Sequence, residues 1–133
     1  MSDCPFCKIA SHDLDSYTVY EDDETMAFLD VNPVSRGHML VIPKTHAGHL
    51  SDLDSTTTRA LFETVQKMAN GINTALNPGG INILQSNGET AGQEVPHVHV
   101  HLIPRYEDDD ISFDFEPSEL DEDEATTLVD KLG

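Results

Sequence analysis

The sequence predicts an α+β domain in which five strands form an antiparallel sheet against one long helix. Three observations predict it. Short apolar and β-branched runs alternate with turn residues at hairpin-like intervals. Leu61, Val65, Met68, Ile72 and Leu76 keep the three-or-four spacing of one buried helix face. Residues 97–104, HVHVHLIP, alternate strictly, with histidine at 97, 99 and 101 and Val98, Val100 and Leu102 between them. A chain of 133 residues suits one domain, 1–133, around a modest core.

Taken in order, residues 3–11 read as a short helix or turn bearing Cys4, Phe6, Cys7 and Ile9. Residues 17–21 and 25–30 read as two strands of a hairpin across the acidic turn 22–24. Asn32, Pro33 and Gly37 make 31–37 a loop. Residues 38–42, HMLVI, form an apolar, central strand that Pro43 stops. Asp52 or Asp54 caps the main helix, Phe62 and Ala69 flank its buried stripe, Gly71 weakens it, and Asn77-Pro78-Gly79-Gly80 ends it. Residues 81–85 are a further strand, and the Gly-, Asn-, Thr- and Gln-rich loop 86–93 delivers the chain to the histidines. The acidic segment 107–133 opens with a solvated run, 107–110. It closes with a short helix expected from Pro117-Ser118, where Leu120, Leu128, Val129 and Leu132 supply apolar contacts and four acids, 121–124, suit the N-terminal half.

The net charge is −18, from 25 acidic side chains and 7 lysines and arginines. Thirteen of the acids lie in residues 1–106 and twelve in 107–133, so the charge is not confined to an appended arm. Nucleic-acid binding needs a basic patch, so no nucleic-acid partner is expected. No apolar run is long enough to span a membrane and no basic-plus-apolar leader opens the chain, so the expected location is cytoplasmic, away from membranes. So acidic and lysine-poor a chain fits a halophilic protein in molar salt, where the Debye length is ~3 Å and self-repulsion is screened. Cys4 and Cys7 form a Cys-x-x-Cys pair, which in a reducing compartment reads as a metal half-site or a redox motif.

On a strand, the three histidines share one face and Val98, Val100 and Leu102 the other. A row of imidazoles is an unusual use of a strand face, because each ring needs a polar partner. The outer two lie ~13 Å apart, whereas zinc ligands must converge to within roughly 3.5 Å of one another. The three rings therefore have different jobs.

The pattern H-φ-H-φ-H-φ-φ, preceded by AGQ-x-V and followed by PR, resembles the histidine triad (HIT) family of nucleotide hydrolases and transferases. The resemblance extends to FLDVNPVSRGHMLVIPKTH (28–46) and CPFCKI (4–9), in order and spacing, and covers nearly all of the chain up to Tyr106. It implies the HIT fold, usually as a two-fold homodimer, and chemistry at the α-phosphate of a purine nucleotide. The simplest such reaction releases AMP from a nucleoside phosphoramidate or related ester. Dinucleoside polyphosphate hydrolysis, and a nucleotide sensor with little turnover, are the alternatives.

The resemblance assigns nucleophilic attack to the middle histidine, His99, and a neutral imidazole can attack phosphorus when its other nitrogen is held by an acceptor. His101, one step along the same face, then donates to a phosphate oxygen. The glycine-rich approach brings backbone N–H groups near phosphate, and Asn87, Gly92 and Gln93 match the family's phosphate-contacting positions. Glu94 departs from the pattern, since relatives carry Ser or Thr there as a donor to the leaving atom. A carboxylate donates only when protonated, so Glu94 is either a general acid or turned away. His38 matches a residue packed behind the triad that would fix a tautomer. Phe6, Ile9, Phe28 and Val31 match the apolar pocket around the base, and Asp30 the acceptor for the ribose hydroxyls. The resemblance to zinc-bearing members gives Cys4 and Cys7 the partners His46 and His97, a closed structural Cys₂His₂ zinc site.

Overall fold

Residues 3–133 are described by a computed structural model. A short helix α1 (Pro5–Ala10) precedes the hairpin β1 (Thr18–Glu21) and β2 (Thr25–Leu29), then β3 (Met39–Pro43). The long helix α2 (Ser55–Leu76) follows, then β4 (Gly80–Gln85), β5 (Val100–Arg105) and α3 (Glu122–Leu132). The sheet runs β1-β2-β3-β5-β4, and every neighbouring pair is antiparallel. The histidine strand is thus an inner one, and β4 forms an edge.

Alternation on β3 and β5 divides the core. Met39 and Val41, with Val98, Val100 and Leu102, meet Leu61, Val65, Met68 and Ile72 of α2. Leu40 and Ile42 point the other way and join Met26, Phe28, Phe6 and Ile9 beneath α1. The buried apolar run of β3 therefore serves two layers at once. Asp54 caps α2, its carboxylate accepting from Thr57 N at 2.8 Å, and Thr25 Oγ1 meets Thr64 Oγ1 at 2.7 Å between sheet and helix. Gly37 has φ +90, a conformation that glycine adopts without strain, so the turn before β3 favours glycine, and a Cβ there would push only on the flexible end of Leu76.

Four expectations shift. The histidine strand begins at Val100, not at 97, because its ladders on β3 and β4 both start there. Upstream, Val98 N donates to Ala47 O at 2.8 Å, a loop rather than a strand. Pro43 is the last residue of β3 instead of its stop. Ladder pairing to β5 has ended by then, so no N–H is missed, and Pro43 O accepts from a histidine. Within the expected solvated run 107–110, Asp109 is held by Arg105 Nε and Nη2, each at 2.9 Å, and the guanidinium lowers its carboxyl below the usual carboxylate range. The last helix starts at Glu122 with Asp121 as its cap, not at Pro117-Ser118. It buries nothing: Val129 and Leu132 are 70% and 84% exposed, and Leu120 just before it is 69% exposed.

Candidate active site and metal cluster

Below the α1 face of the sheet lies a cleft of about 470 Å³. Phe6, Ile9, Phe28 and Leu40 make its apolar end, Asp30, Val31 and Asn32 one flank, and Gly92, Glu94 and Val95 the rim above His99 and His101. Phe6 stands edge-on to His99, with ring centroids 5.0 Å apart, and to Phe28 at 5.8 Å. The sequence-predicted residues Phe6, Ile9, Phe28, Asp30, Val31, His38, Gly92, Glu94, His99 and His101 all line it. Asn87 and Gln93 do not. Asn87 Oδ1 accepts from Leu50 N at 2.7 Å, and its amide donates to Gln85. Gln93 spends its side chain on Gly88 N and Gly48 O, each at 2.7 Å. Both hold the loop's shape, and their donors are engaged away from the cleft.

The hydrogen-bond partners fix the protonation of each ring. A backbone carbonyl only accepts, so the nitrogen facing it carries the proton. His99 Nδ1 donates to the His97 carbonyl at 2.7 Å, which leaves Nε2 as the lone-pair nitrogen. On the next ring the order reverses. Val34 N donates to His38 Nδ1 at 3.1 Å, so His38 carries its proton on Nε2 and donates it to His101 Nδ1 at 2.9 Å. His101 is then protonated on Nε2. Two neighbouring rings therefore present opposite chemistry, a nitrogen lone pair on His99 and an N–H donor on His101. Burial lowers the pKa of His38, and burial with its imidazole neighbours brings His101 to about 4, so both rings are neutral at physiological pH.

His97 belongs to a different group. Its Nε2 donates to Pro43 O at 2.9 Å, so Nδ1 is the lone pair, aimed at Cys4 Sγ (3.3 Å), Cys7 Sγ (3.6 Å) and His46 Nδ1 (3.2 Å). Cys7 Sγ is also 3.3 Å from His46 Nδ1. Zinc bonds of about 2.0–2.3 Å at tetrahedral angles separate ligand atoms by roughly 3.3–3.8 Å, close to what these four atoms show. The donor set therefore fits a closed zinc site.

A second group, Asp30, His38 and His101, also brings its ligand atoms within 4.8 Å of one another. It does not fit a metal. The space between the rings holds the His38 Nε2 proton, and Asp30 Oδ2 stands 3.5 Å from that same nitrogen. Asp30 Oδ1 accepts from Asn32 N at 2.8 Å, so the carboxylate is oriented with lone pairs to spare toward the cleft. Glu94 neither turns away nor lies buried: it is exposed at the rim and faces the cleft.

A family model described as the HIT domain matches residues 11–108. The chain is 40% identical over 102 residues to adenosine 5'-monophosphoramidase hnt1 of Schizosaccharomyces pombe, covering 77% of this chain and 74% of that one. It is 40% identical over 108 residues to adenylylsulfatase HINT3 of Arabidopsis thaliana, covering 81% of this chain and 55% of that one. Among solved structures, SMU.412c from Streptococcus mutans superposes with TM-score 0.94 at 40% identity, covering 99% of this chain and 84% of that one. A zinc-bound histidine triad family protein from Mycobacterium smegmatis superposes with TM-score 0.78 at 33% identity, covering 99% of each.

Proposed function

The chain belongs to the HIT family, and on that premise we propose that it releases AMP from purine nucleotide conjugates by attack of His99 on the α-phosphate. The observation that carries this is the tautomer of His99. A proton held on Nδ1 by the His97 carbonyl leaves Nε2 free to attack without prior deprotonation. The base takes the apolar end at Phe6, Ile9 and Phe28 with Val31 on its flank, and Asp30 accepts from the ribose hydroxyls. The α-phosphate meets His99, with His101 Nε2–H and the Gly92 segment as donors. A bond forms from Nε2 to phosphorus as the bond to the leaving nitrogen or oxygen breaks. The departing atom keeps the electron pair and takes up a proton. Water then attacks phosphorus and gives its proton to solvent, and AMP leaves with the ring restored. Relatives named as a monophosphoramidase and an adenylylsulfatase, each about 40% identical, support this class of reaction.

Cys4, Cys7, His46 and His97 would hold zinc as a crosslink with all four positions filled by protein, a structural rather than a Lewis-acid role. A homodimer through β4 fits the open edge of the sheet and the exposed Ile83 and Leu84 on it. The test of the catalytic reading is His99→Ala. Turnover of an activated AMP donor should fall by several orders of magnitude. AMP affinity should stay within about tenfold, ~1.4 kcal/mol. An AMP-sized mass increase should appear on the wild-type peptide spanning 97–101 after a rapid, acid-free quench. Retention of more than a few per cent of turnover, or label on another residue, would overturn it.

A further inference from the structure

We propose that Glu94 is a specificity residue that makes the cleft prefer nucleotide conjugates whose leaving amine carries a separate ammonium over those whose leaving group carries negative charge. The inference rests on the reading that the α-phosphate sits at His99 and the rest of the conjugate leaves past it. It begins with the charges that line the cleft. Two carboxylates, Asp30 and Glu94, are present, and among the described residues no lysine or arginine is. The histidines beside them, His38 and His101, are neutral at physiological pH. The phosphate site therefore meets its substrate with neutral N–H donors only.

Sites that accept a chain of phosphates offset its charge with lysines, arginines or divalent ions. This cleft has an acidic rim instead, in a protein of net charge −18. A phosphoramidate brings a single negative charge, which one imidazole N–H and backbone donors can serve. A polyphosphate or sulfate conjugate brings two or more and would carry the excess to the rim.

The position of Glu94 gives the sign of the preference. The apolar end, made by Phe6, Ile9, Phe28 and Leu40, takes the flat base, and Asp30 is held beside His38 by Asn32 N. Gly92, Glu94 and Val95 lie on the loop that carries His99 into β5, and Glu94 is exposed there. No cation among the described residues lies within ion-pair distance of it. A carboxylate in solvent is an acceptor and a negative charge, not a donor. A group extending past His99 to solvent meets that charge, and an ammonium gains what a sulfate loses. An exposed pair is worth little at high dielectric, so the discrimination should be about fivefold to tenfold for each unit of leaving-group charge, at most ~1.4 kcal/mol per step.

The experiment uses adenosine 5'-phosphoramidates of three amines of similar size, a diamine bearing an ammonium, a neutral alkylamine and an amino acid carboxylate, with adenylyl sulfate as the anionic mixed anhydride. kcat/KM is measured for wild type and Glu94→Gln in dilute buffer and in molar KCl. The wild type should rank cationic over neutral over anionic, the ranking should collapse in Glu94→Gln, and molar salt should compress it. Only ratios between substrates are compared, so a uniform loss of activity in the variant does not disturb the result. The same amides are also titrated into His99→Ala and His99→Ala/Glu94→Gln, where binding replaces turnover as the readout. Identical ratios with and without the Glu94 carboxylate, in turnover and in binding, would overturn the proposal. A charge ranking in binding without any turnover in the wild type would leave the filter standing and defeat the nucleophile instead.

Discussion

Two groups of histidine and acid or thiol draw on His97 and His101, four residues apart at the entry to β5, and by distance alone both look ready for a metal. They differ in where the backbone has put the protons. At His97 the Pro43 carbonyl holds the Nε2 proton and turns a lone pair toward Cys4, Cys7 and His46. At His38 the Val34 amide occupies Nδ1, so a proton fills the gap toward His101 and Asp30. One cluster converges lone pairs on a point; the other passes a proton direction from ring to ring. Ligand-like spacing thus says little until each imidazole's second partner is known.

The largest effect that tests this contrast is the loss of the thiolates. Cys4→Ser/Cys7→Ser should abolish zinc binding by elemental analysis and lower Tm by about 10 °C or more, on the scale of 2–4 kcal/mol. Wild type should hold one zinc per chain. Two equivalents, with the second lost in His38→Ala, would erase the distinction between the clusters.

Next comes the relay. His38→Ala removes the donor to His101 Nδ1 and frees His101 to place its proton there, away from phosphate. Turnover should fall about 10- to 100-fold, a typical cost of losing an outer partner that fixes a ring, while zinc content stays unchanged. His38→Gln keeps an amide donor and should recover part of the loss. A variant as active as wild type would show that His101 needs no such partner.

A smaller effect follows from pH. Folding lowers the pKa of His101 from 6.5 to about 4 and shifts His38 in the same direction. Protons then bind the unfolded chain more readily, so their contribution is intact above about pH 6.5 and declines as pH falls toward 4. His101→Asn should flatten that part of the stability curve. An unchanged slope would mean that the rings are accessible to protons in the folded state.

The smallest and broadest effect concerns salt. With 25 acids against 7 lysines and arginines, self-repulsion should weaken the fold in dilute buffer. Tm should therefore rise on going to molar KCl, and a flat or falling curve would remove the halophilic expectation.

Much of this was legible in the residues because it depends on local periodicity. Alternation at 98, 100 and 102 placed the histidines on one face, and the Leu61-to-Ile72 spacing placed α2. What escaped depends on partners remote in sequence. The histidine strand loses its first three residues to the Ala47 carbonyl. Asn87 lies off the cleft lining, its side chain held by Leu50 N and Gln85. α3 starts late because Asp121 is the cap, its carboxylate accepting from the orphan amide of Glu124. No pattern in the sequence reports a tautomer, since a carbonyl and an amide are available at every position and only the fold chooses between them.

The place of β5 between β3 and β4 bears on how the molecule opens. Its amides are shared with a neighbour on each side, so they should exchange with solvent deuterium only when the whole sheet comes apart. α3, with no buried residue, should exchange through fraying alone. Measured residue by residue, protection at Val100 and Leu102 should equal the free energy of global unfolding. The placement of His101 is then lost only when the protein itself is.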